Sequence, residues 1–581
     1  MSERVLVAVA WPYANGPLHL GHIAGAYLPA DIFARYHRLK GNEVLMVSGS
    51  DQHGTPITIS AEQEGKKPGE IAAQYHQQFL NSWQRLGISF DLFTTTGTPN
   101  HARVAQDMFL TLLNKGYIYK STMSQLYCPQ CQRFLPDRYV EGTCPFCSSP
   151  RARGDQCDDC GRPMNPAELL DPRCRLCGTT PQFKDSEHFF LKLSAFQREL
   201  NDWVKKQSKK ANWRPNVYNL TQRYLKEGLK DRAITRDIDW GVPVPVDGFE
   251  NKRIYVWFEA VIGYLSATKE WAKSSRGEER WRSFWQDDEA KGYYFIGKDN
   301  IPFHTIIWPA ILMGYGGLNL PYDVPANEFL TIEGKKLSTS RNWAVWLPDY
   351  LSRYEPDPLR YLLSINMPES GDTDFSWREF VRRNNDELVA TYGNLVHRVL
   401  TITYRNFNGC VPEHSKYSEI REYLESLDPR KDLGTTNILD DSSMNVIEDA
   451  KEFLFREAGD RLSNCEFRQA LLNILLYAQE TNRYLDNKSP WKAIKEDRQA
   501  AADSLYVALY AISCLKTVLY PFLPFSSQKL HQLLGFDDDV QDDGWKPNPP
   551  SPGQKLLEPI PLFAKLDDKL IDEETARLGK A

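Results

Sequence analysis

A parallel α/β fold interrupted by an inserted domain and followed by an α-helical bundle is what this 581-residue sequence predicts. Three observations carry the expectation. The first fifty residues read strand, helix, strand; eight of the eleven cysteines fall between Cys128 and Cys177; and beyond about residue 345 the apolar pattern becomes helical and stays so.

Taken in order, "RVLVAVA" is a buried strand and "IAGAYLPADIFARYHRLKG" an amphipathic helix that Gly41 ends. "EVLMVSGSDQHGTP" is a second strand running into a polar loop. A βαβ unit of this kind builds a parallel, Rossmann-like sheet whose site lies at the carboxyl ends of the strands. From Tyr117 to about Lys184 the chain turns rich in Cys, Pro, Gly and Arg, and a basic helical stretch follows with Lys205, Lys206, Lys209, Lys210, Arg214, Arg223, Lys226, Lys230 and Arg232. Strand-and-loop character resumes at "RIYVWFEAVIGY" and "GYYFIGKDNIPFHTIIWPAIL". The expected organisation is a catalytic domain over 1–116 and 233–330, an insertion over 117–232, a loop and stem-contact region over 331–385, a helical bundle over 386–534 and an acidic, Pro-rich, loop-like tail over 535–581.

Lys and Arg number 70 against 76 Asp and Glu, so a net charge of −6 excludes a general polyanion binder and confines any nucleic-acid site to a local patch. No apolar run approaches the ~18 residues of a membrane-spanning helix, and the run from Val5 to Trp11 is too short for a signal-peptide core. The sequence reads as a cytoplasmic protein with no membrane partner. Cys410, Cys465 and Cys514, scattered through the chain, read as small core residues.

Two short motifs carry chemistry. "HLGH", residues 19–22, stands where a strand hands over to a helix, so free backbone N–H groups and two imidazoles converge on a place suited to phosphate, and Gly21 leaves room for a nucleobase. "GKKLSTSRN", residues 334–342, offers Lys335 and Lys336 followed by hydroxyls at Ser338, Thr339 and Ser340. Neither matches the GxxxxGK[ST] phosphate loop.

Together the two motifs resemble the HIGH and KMSKS signatures of the class I aminoacyl-tRNA synthetases. The likeness sharpens to the methionyl members through "AWPYANGPLHLGH", "SGSDQHGTPI", "DSEHFFLKL", "YVWFEAVIGY", "FIGKDNIPFH", "YGNLVHR" and "NRYLDNKSPW", which span nearly the whole chain. The resemblance implies ATP-dependent activation of L-methionine to methionyl-adenylate and its transfer to tRNA(Met), with Mg²⁺ accompanying ATP. It implies a phosphate and adenine site at His19, Gly21, His22, Lys298, Asp299, Lys335, Lys336, Ser338, Thr339 and Ser340. It places methionine among Ala10, Trp11, Tyr13, Asp51, Trp257, Ala260, Tyr264 and His304, where Asp51 can pair with the substrate ammonium and the aromatic rings can hold a polarisable thioether. It assigns reading of the CAU anticodon to Asn394, Arg398, Pro490 and Trp491, a task suited to stacking and hydrogen bonding of splayed loop bases.

The chain departs from many members at Trp11, where leucine is common, at Val261, where proline is common, and at Thr339, where the second signature lysine stands. The last leaves the phosphate clamp one cation short, with Lys335 and Lys336 as the nearest replacements. The valine, isoleucine and leucine members carry large editing insertions, whereas the insertion here holds mainly CxxC knuckles and basic helices.

The cysteines form four CxxC pairs, Cys128/Cys131, Cys144/Cys147, Cys157/Cys160 and Cys174/Cys177. Two such pairs suit one tetrahedral thiolate zinc, so one or two structural zinc ions are expected. Spacing leaves adjacent, interleaved and nested partnering open; the short middle loop and the likeness to single-zinc family members favour nesting, with Cys144, Cys147, Cys157 and Cys160 on one ion and Cys128, Cys131, Cys174 and Cys177 on the other. Four thiolates leave no open position for catalysis. With little chain beyond Leu534, a further dimerising domain is not expected, and the protein reads as a monomer.

Overall fold

A computed structural model describes residues 2–154, 156–157, 159–160, 162, 164, 166–275, 277–425 and 439–580. Its centre is a five-stranded sheet, every neighbouring pair parallel. The chain enters through β1 (Arg4–Val9), passes a three-residue helical turn and a π-turn into α1 (Leu28–Leu39), and returns as β2 (Glu43–Ser50) and β3 (Leu92–Thr95). Helix α2 (Pro99–Asn114) leads to the long antiparallel ribbon β4 (Ile118–Cys128) and β5 (Gln182–Leu191), which carries the cysteine region at its far end. The chain comes back through α3 (Val256–Ser275) to β6 (Lys291–Gly297) and β7 (Ala326–Asn327). In space the strands run β7-β6-β1-β2-β3, so the order reverses between β1 and β6. Such a switch point opens a crevice beyond the strand ends, where ligands bind.

Both faces of the sheet are buried, as a parallel sheet requires. Side chains alternate along β1: Val5, Val7 and Val9 belong to a core that runs on into the C-terminal helices, while Leu6 and Ala8 face α2, α3 and the inserted helices. After β7 come the small sheet of β8 (Leu330–Ile332), β9 (Lys335–Lys336) and Thr373–Phe375, then α4 (Pro356–Ile365). Glu333 and Gly334 both have positive φ, +49° and +70°, and make the tight turn that hands β8 to β9.

The helical part includes α5 (Asn394–Asn406), α6 (Phe467–Lys488), α7 (Pro490–Glu496) and α8 (Arg498–Leu519). Here two expectations change. Helix α8 is long and apolar enough to cross a membrane, which no segment was expected to be, yet it is almost wholly buried because its neighbours surround it on every side. The C-terminal segment is not merely loop-like. It forms α9 (Lys569–Thr575) and packs back onto the molecule: Glu574 receives Arg353 and the Tyr354 hydroxyl, each at 2.8 Å, and the Gly579 amide donates to Asn342 O at 3.0 Å. The acidic stretch before it is pinned by the Lys516–Asp543 ion pair, 2.6 Å long and wholly buried.

A buried charge cluster joins α1, α4 and the chain after α8. Arg360 and Asp31 have no exposed side-chain surface and lie 2.7 Å apart. Arg360 also donates to the carbonyls of Pro521 and Phe522, while Asp31 receives Arg35, the Ser89 amide and the Ser89 hydroxyl. Burial opposes the charge on Asp31, but Arg35, Arg360 and Ser89 overcome it and bring its pKa to about 2. Replacing Arg360 with Met should therefore destabilise the chain by about 3–5 kcal/mol, because Asp31 loses one of its two arginines and the carbonyls of Pro521 and Phe522 lose a buried donor. Urea unfolding of the whole protein measures the loss. In the parent chain the Asp31 contribution should hold above about pH 4 and disappear as pH falls towards 2, the range between its unfolded and folded titration.

Candidate active site and metal centres

The crevice at the switch point is a cavity of about 1160 Å³. Its floor comes from the ends of β1 and β2, one wall from α3, another from the segment after β6, and its roof from β4 and the inserted domain. Ala10, Trp11, Tyr13, Asp51, Trp257, Ala260, Tyr264 and His304 all line it, as do His22, Lys298 and Asp299. His19, Gly21, Lys335, Lys336, Ser338 and Thr339 lie outside its lining.

At the apolar end, Trp257 Nε1 donates to the Tyr13 hydroxyl at 3.1 Å and its ring meets Phe303 edge-on. Burial holds His304 neutral, with a pKa of about 4. Its Nδ1 sits 2.9 Å from Asn300 O and its Nε2 2.7 Å from the Tyr264 hydroxyl, so a proton on Nδ1 leaves Nε2 to accept from Tyr264. Trp11 has a physical reason to be tolerated. A β-carbon at Gly49 would overlap its ring, and one at Gly263 would come within 2.8 Å of it, so two glycines make the slot the indole fills. Val261 lines the cavity beside Ala260 without breaking α3.

Asp51 is 3% exposed and sits in the backbone bridge that joins the end of β2 to Tyr13. Burial, then the nearby Glu259, push its pKa well up, while His53 and Thr96 pull it down. It is therefore a carboxylate that a cation would stabilise strongly.

The two histidines of the first motif stack, centroids 3.7 Å apart and planes 16° from parallel. The His19 amide donates to His22 Nδ1 at 3.2 Å, which leaves the His22 ring proton on Nε2, free to donate into the cavity. Burial lowers both pKa values, that of His22 to about 4, so the pair is neutral and donates hydrogen bonds without charge. Gly21 is covered: a β-carbon there would stand 3.1 Å from the His19 ring and 3.3 Å from Leu337. The second motif thus closes over the first, an arrangement that Trp346 reinforces through its bridge to His19. Lys335 lies over the Trp343 ring at 4.3 Å and Lys336 over Phe329 at 5.9 Å. Lys298, by contrast, is tied to Glu328 at 2.7 Å and Asp372 at 2.8 Å. Thr339 opens a short 3₁₀ turn to Arg341, whose Nε donates to Ser338 Oγ at 3.2 Å; the Ser340 side chain lies outside what is described.

Sequence reasoning missed the cavity mouth. Arg223, Lys230 and Arg232 belong to a basic stretch and Arg236 and Arg138 to no motif, yet all five line the cavity. The stretch's charge density was the available signal; its place against the strand ends was not visible without the insertion's fold.

The eight clustered cysteines collect into two groups, Cys128, Cys131, Cys174 and Cys177, and Cys144, Cys147, Cys157 and Cys160, the sulfurs within each lying inside 4.8 Å of one another. This is the nested arrangement, and the spacing suits four thiolates around one zinc ion. In the bundle, Asn394 is exposed, Pro490 buried and Trp491 half-buried. The Arg398 guanidinium lies 5.0 Å over the Trp491 ring and bonds Asp486 at 2.7 Å, so these two helices present one polar-aromatic surface.

Residues 5–400 match the family described as tRNA synthetases class I (M), and residues 438–581 match the anticodon binding domain of methionyl tRNA ligase. A Methionine--tRNA ligase of Dehalococcoides mccartyi strain 195 is 61% identical over 579 residues, covering 100% of both chains. One from Thermomicrobium roseum is 52% identical over 100% of this chain and 99% of its own. The structure of Mycobacterium tuberculosis methionyl-tRNA synthetase in complex with methionyl-adenylate has the same fold, with a TM-score of 0.77 at 24% identity over 97% of this chain and 100% of that one.

Elemental analysis should find two zinc ions per chain. Replacing Cys128 and Cys174 together with Ser should leave one, since both belong to the same thiol group. Loss of both ions would refute the nested assignment.

Proposed function

Because this chain belongs to the methionine-type class I tRNA synthetases, we propose that the crevice described above is where it carries out the family's two steps. It is a methionine–tRNA ligase. The methionine carboxylate attacks the α-phosphate of ATP, pyrophosphate leaves, and the resulting methionyl-adenylate passes its acyl group to a terminal ribose hydroxyl of tRNA(Met), releasing AMP. ATP enters with Mg²⁺, and the enzyme works as a single chain in the cytoplasm.

The observation that carries the assignment is Asp51, a buried carboxylate in an aromatic-lined cavity that His22 and Lys298 also line. An ammonium group pairs with Asp51, and Trp257, Tyr13 and Tyr264 surround an unbranched thioether, which is polarisable and bends to fit where branched side chains do not. His22 Nε2 donates to the triphosphate. The two histidines are neutral and Lys298 is already bonded to two carboxylates, so positive charge for the transition state falls to Lys335 and Lys336, which lie over the Trp343 and Phe329 rings, Lys336 also within the fields of Asp299 and Asp372. Thr339 then positions the loop through its hydroxyl. Cys128, Cys131, Cys174 and Cys177, and Cys144, Cys147, Cys157 and Cys160, would each hold one zinc ion, whose role would be to keep the inserted knuckles in shape rather than to bind substrate. Basic residues at the mouth suit the tRNA terminus, and Asn394, Arg398, Pro490 and Trp491 suit the anticodon.

Pyrophosphate exchange should respond to methionine far more than to leucine, valine or any other amino acid; equal response to several would overturn the substrate assignment. Lys336→Ala should slow single-turnover adenylate formation roughly 10²–10³-fold with methionine affinity unchanged. Thr339→Ala should cost only about 0.5–1.5 kcal/mol in the same assay; a larger effect than that of Lys336→Ala would make loop shape, not charge, the governing factor.

For tRNA, Trp491→Ala should weaken aminoacylation about tenfold while leaving pyrophosphate exchange intact, since stacking on an aromatic is worth about 1–3 kcal/mol. Equal losses in both assays would mean that Trp491 serves the bundle core.

A further inference from the structure

The amino-acid end of the cavity holds more charge than the binding of methionine uses. Glu259 stands on α3 between Trp257 and Ala260, yet it does not line the cavity and has no exposed surface. Its Oε1 lies 2.5 Å from His53 Nδ1, and its Oε2 has no hydrogen-bond partner. His53 in turn links this carboxylate to the other one: its backbone amide donates to Asp51 Oδ1 at 3.1 Å. Trp240 closes edge-on over the imidazole, 5.7 Å away at 75°. Two carboxylates and one imidazole thus share a site from which water is nearly excluded.

Two buried carboxylates so placed cannot both stay ionised without a cation between them. With a charged His53 the group carries one net negative charge, which a single substrate ammonium matches; with a neutral one, a carboxylate would take up a proton. We propose that His53 is a positioning residue for the amino-acid substrate: clamped by the buried Glu259, it is the cation that allows Asp51 to meet the substrate's ammonium group as a carboxylate.

The inference rests on Asp51 as the ammonium anchor. Electrostatics agree with it: burial disfavours a charge on His53, but Glu259 and then Asp51 outweigh burial and raise its pKa. Of the other groups facing the site, His101 on α2 bonds Ser266 at 2.9 Å and is held neutral, with a pKa of about 4, and Arg236 lines the cavity. The same clamp ties the 51–54 loop to the helix carrying Trp257, Ala260 and Tyr264, so it also sets the distance from ammonium anchor to side-chain pocket.

The test compares equilibrium binding of methionine and of 4-(methylthio)butanoate, which lacks the amino group, to the full-length protein from about pH 6 to about pH 9. In His53→Asn the amide can still donate to Glu259 but brings no charge. Methionine affinity at neutral pH should fall about tenfold or more, and the loss should shrink as pH rises and Asp51 gives up its proton, while the desamino acid binds as before or tighter. Adding Glu259→Gln to His53→Asn removes both charges of the pair and should restore methionine affinity to within about threefold. Equal loss of both ligands, or a double variant no better than the single one, would overturn the proposal; His53→Gln serves the same comparison should the Asn variant not fold. Asp51→Ala, measured alongside, should lose methionine alone. If it loses neither ligand, the anchor itself is wrong, a result distinct from failure of the His53 role.

Discussion

The buried pairing of Asp31 with Arg360 is the constraint on which the relative placement of the parts depends. Asp31 lies on the helix that begins at the histidine motif, and Arg360 lies beyond the lysine loop and reaches the chain after α8. Arg360 is buried with Asp31 as its ion-pair partner, Asp31 is held by Arg360 and by Arg35 of its own helix, and the remaining hydrogen bonds of the two groups reach Ser89, Pro521 and Phe522. The cluster therefore acts as a register pin. It fixes the sheet against the helical part, and through them the lysine loop that covers the histidine motif.

Around that pin the two signature motifs meet by packing rather than by charge. Leu337 covers Gly21, Trp346 bridges to His19, and the returning C-terminal segment meets the same loop at Asn342. Neutral, stacked imidazoles supply directional donors, and the exposed lysines supply charge from a hairpin that a tight turn aims. This division suits a reaction in which negative charge grows only in the transition state, because the cations need not be buried beforehand.

The cavity around Asp51 follows a different logic, that of aromatic walls about a buried carboxylate. Its shape is set by mutual accommodation: Trp11 is large because residues 49 and 263 are both glycine. Its charge is set by what lies behind it. A carboxylate as deeply buried as Asp51 is useful only if something nearby governs its ionisation, and His53 with Glu259 is placed to do so.

By itself the sequence determined the class of the sheet, the insertion and the helical C-terminal part, because strand alternation, helical periodicity and CxxC spacing are local and leave a periodic mark. It also named eleven of the residues that line the cavity, from Ala10 and Asp51 to Asp299 and His304, through motif likeness rather than through any contact visible in one dimension. What only the tertiary structure decided involves partners far apart in the chain. The grouping of the CxxC pairs, the slot for Trp11, the bond from His53 to Glu259 across 206 residues and the docking of the C-terminal segment all depend on which buried polar or bulky group finds its complement. Helix α8 makes the same point from the other side: its composition suits a membrane as well as a protein core, and only the helices packed around it select the core.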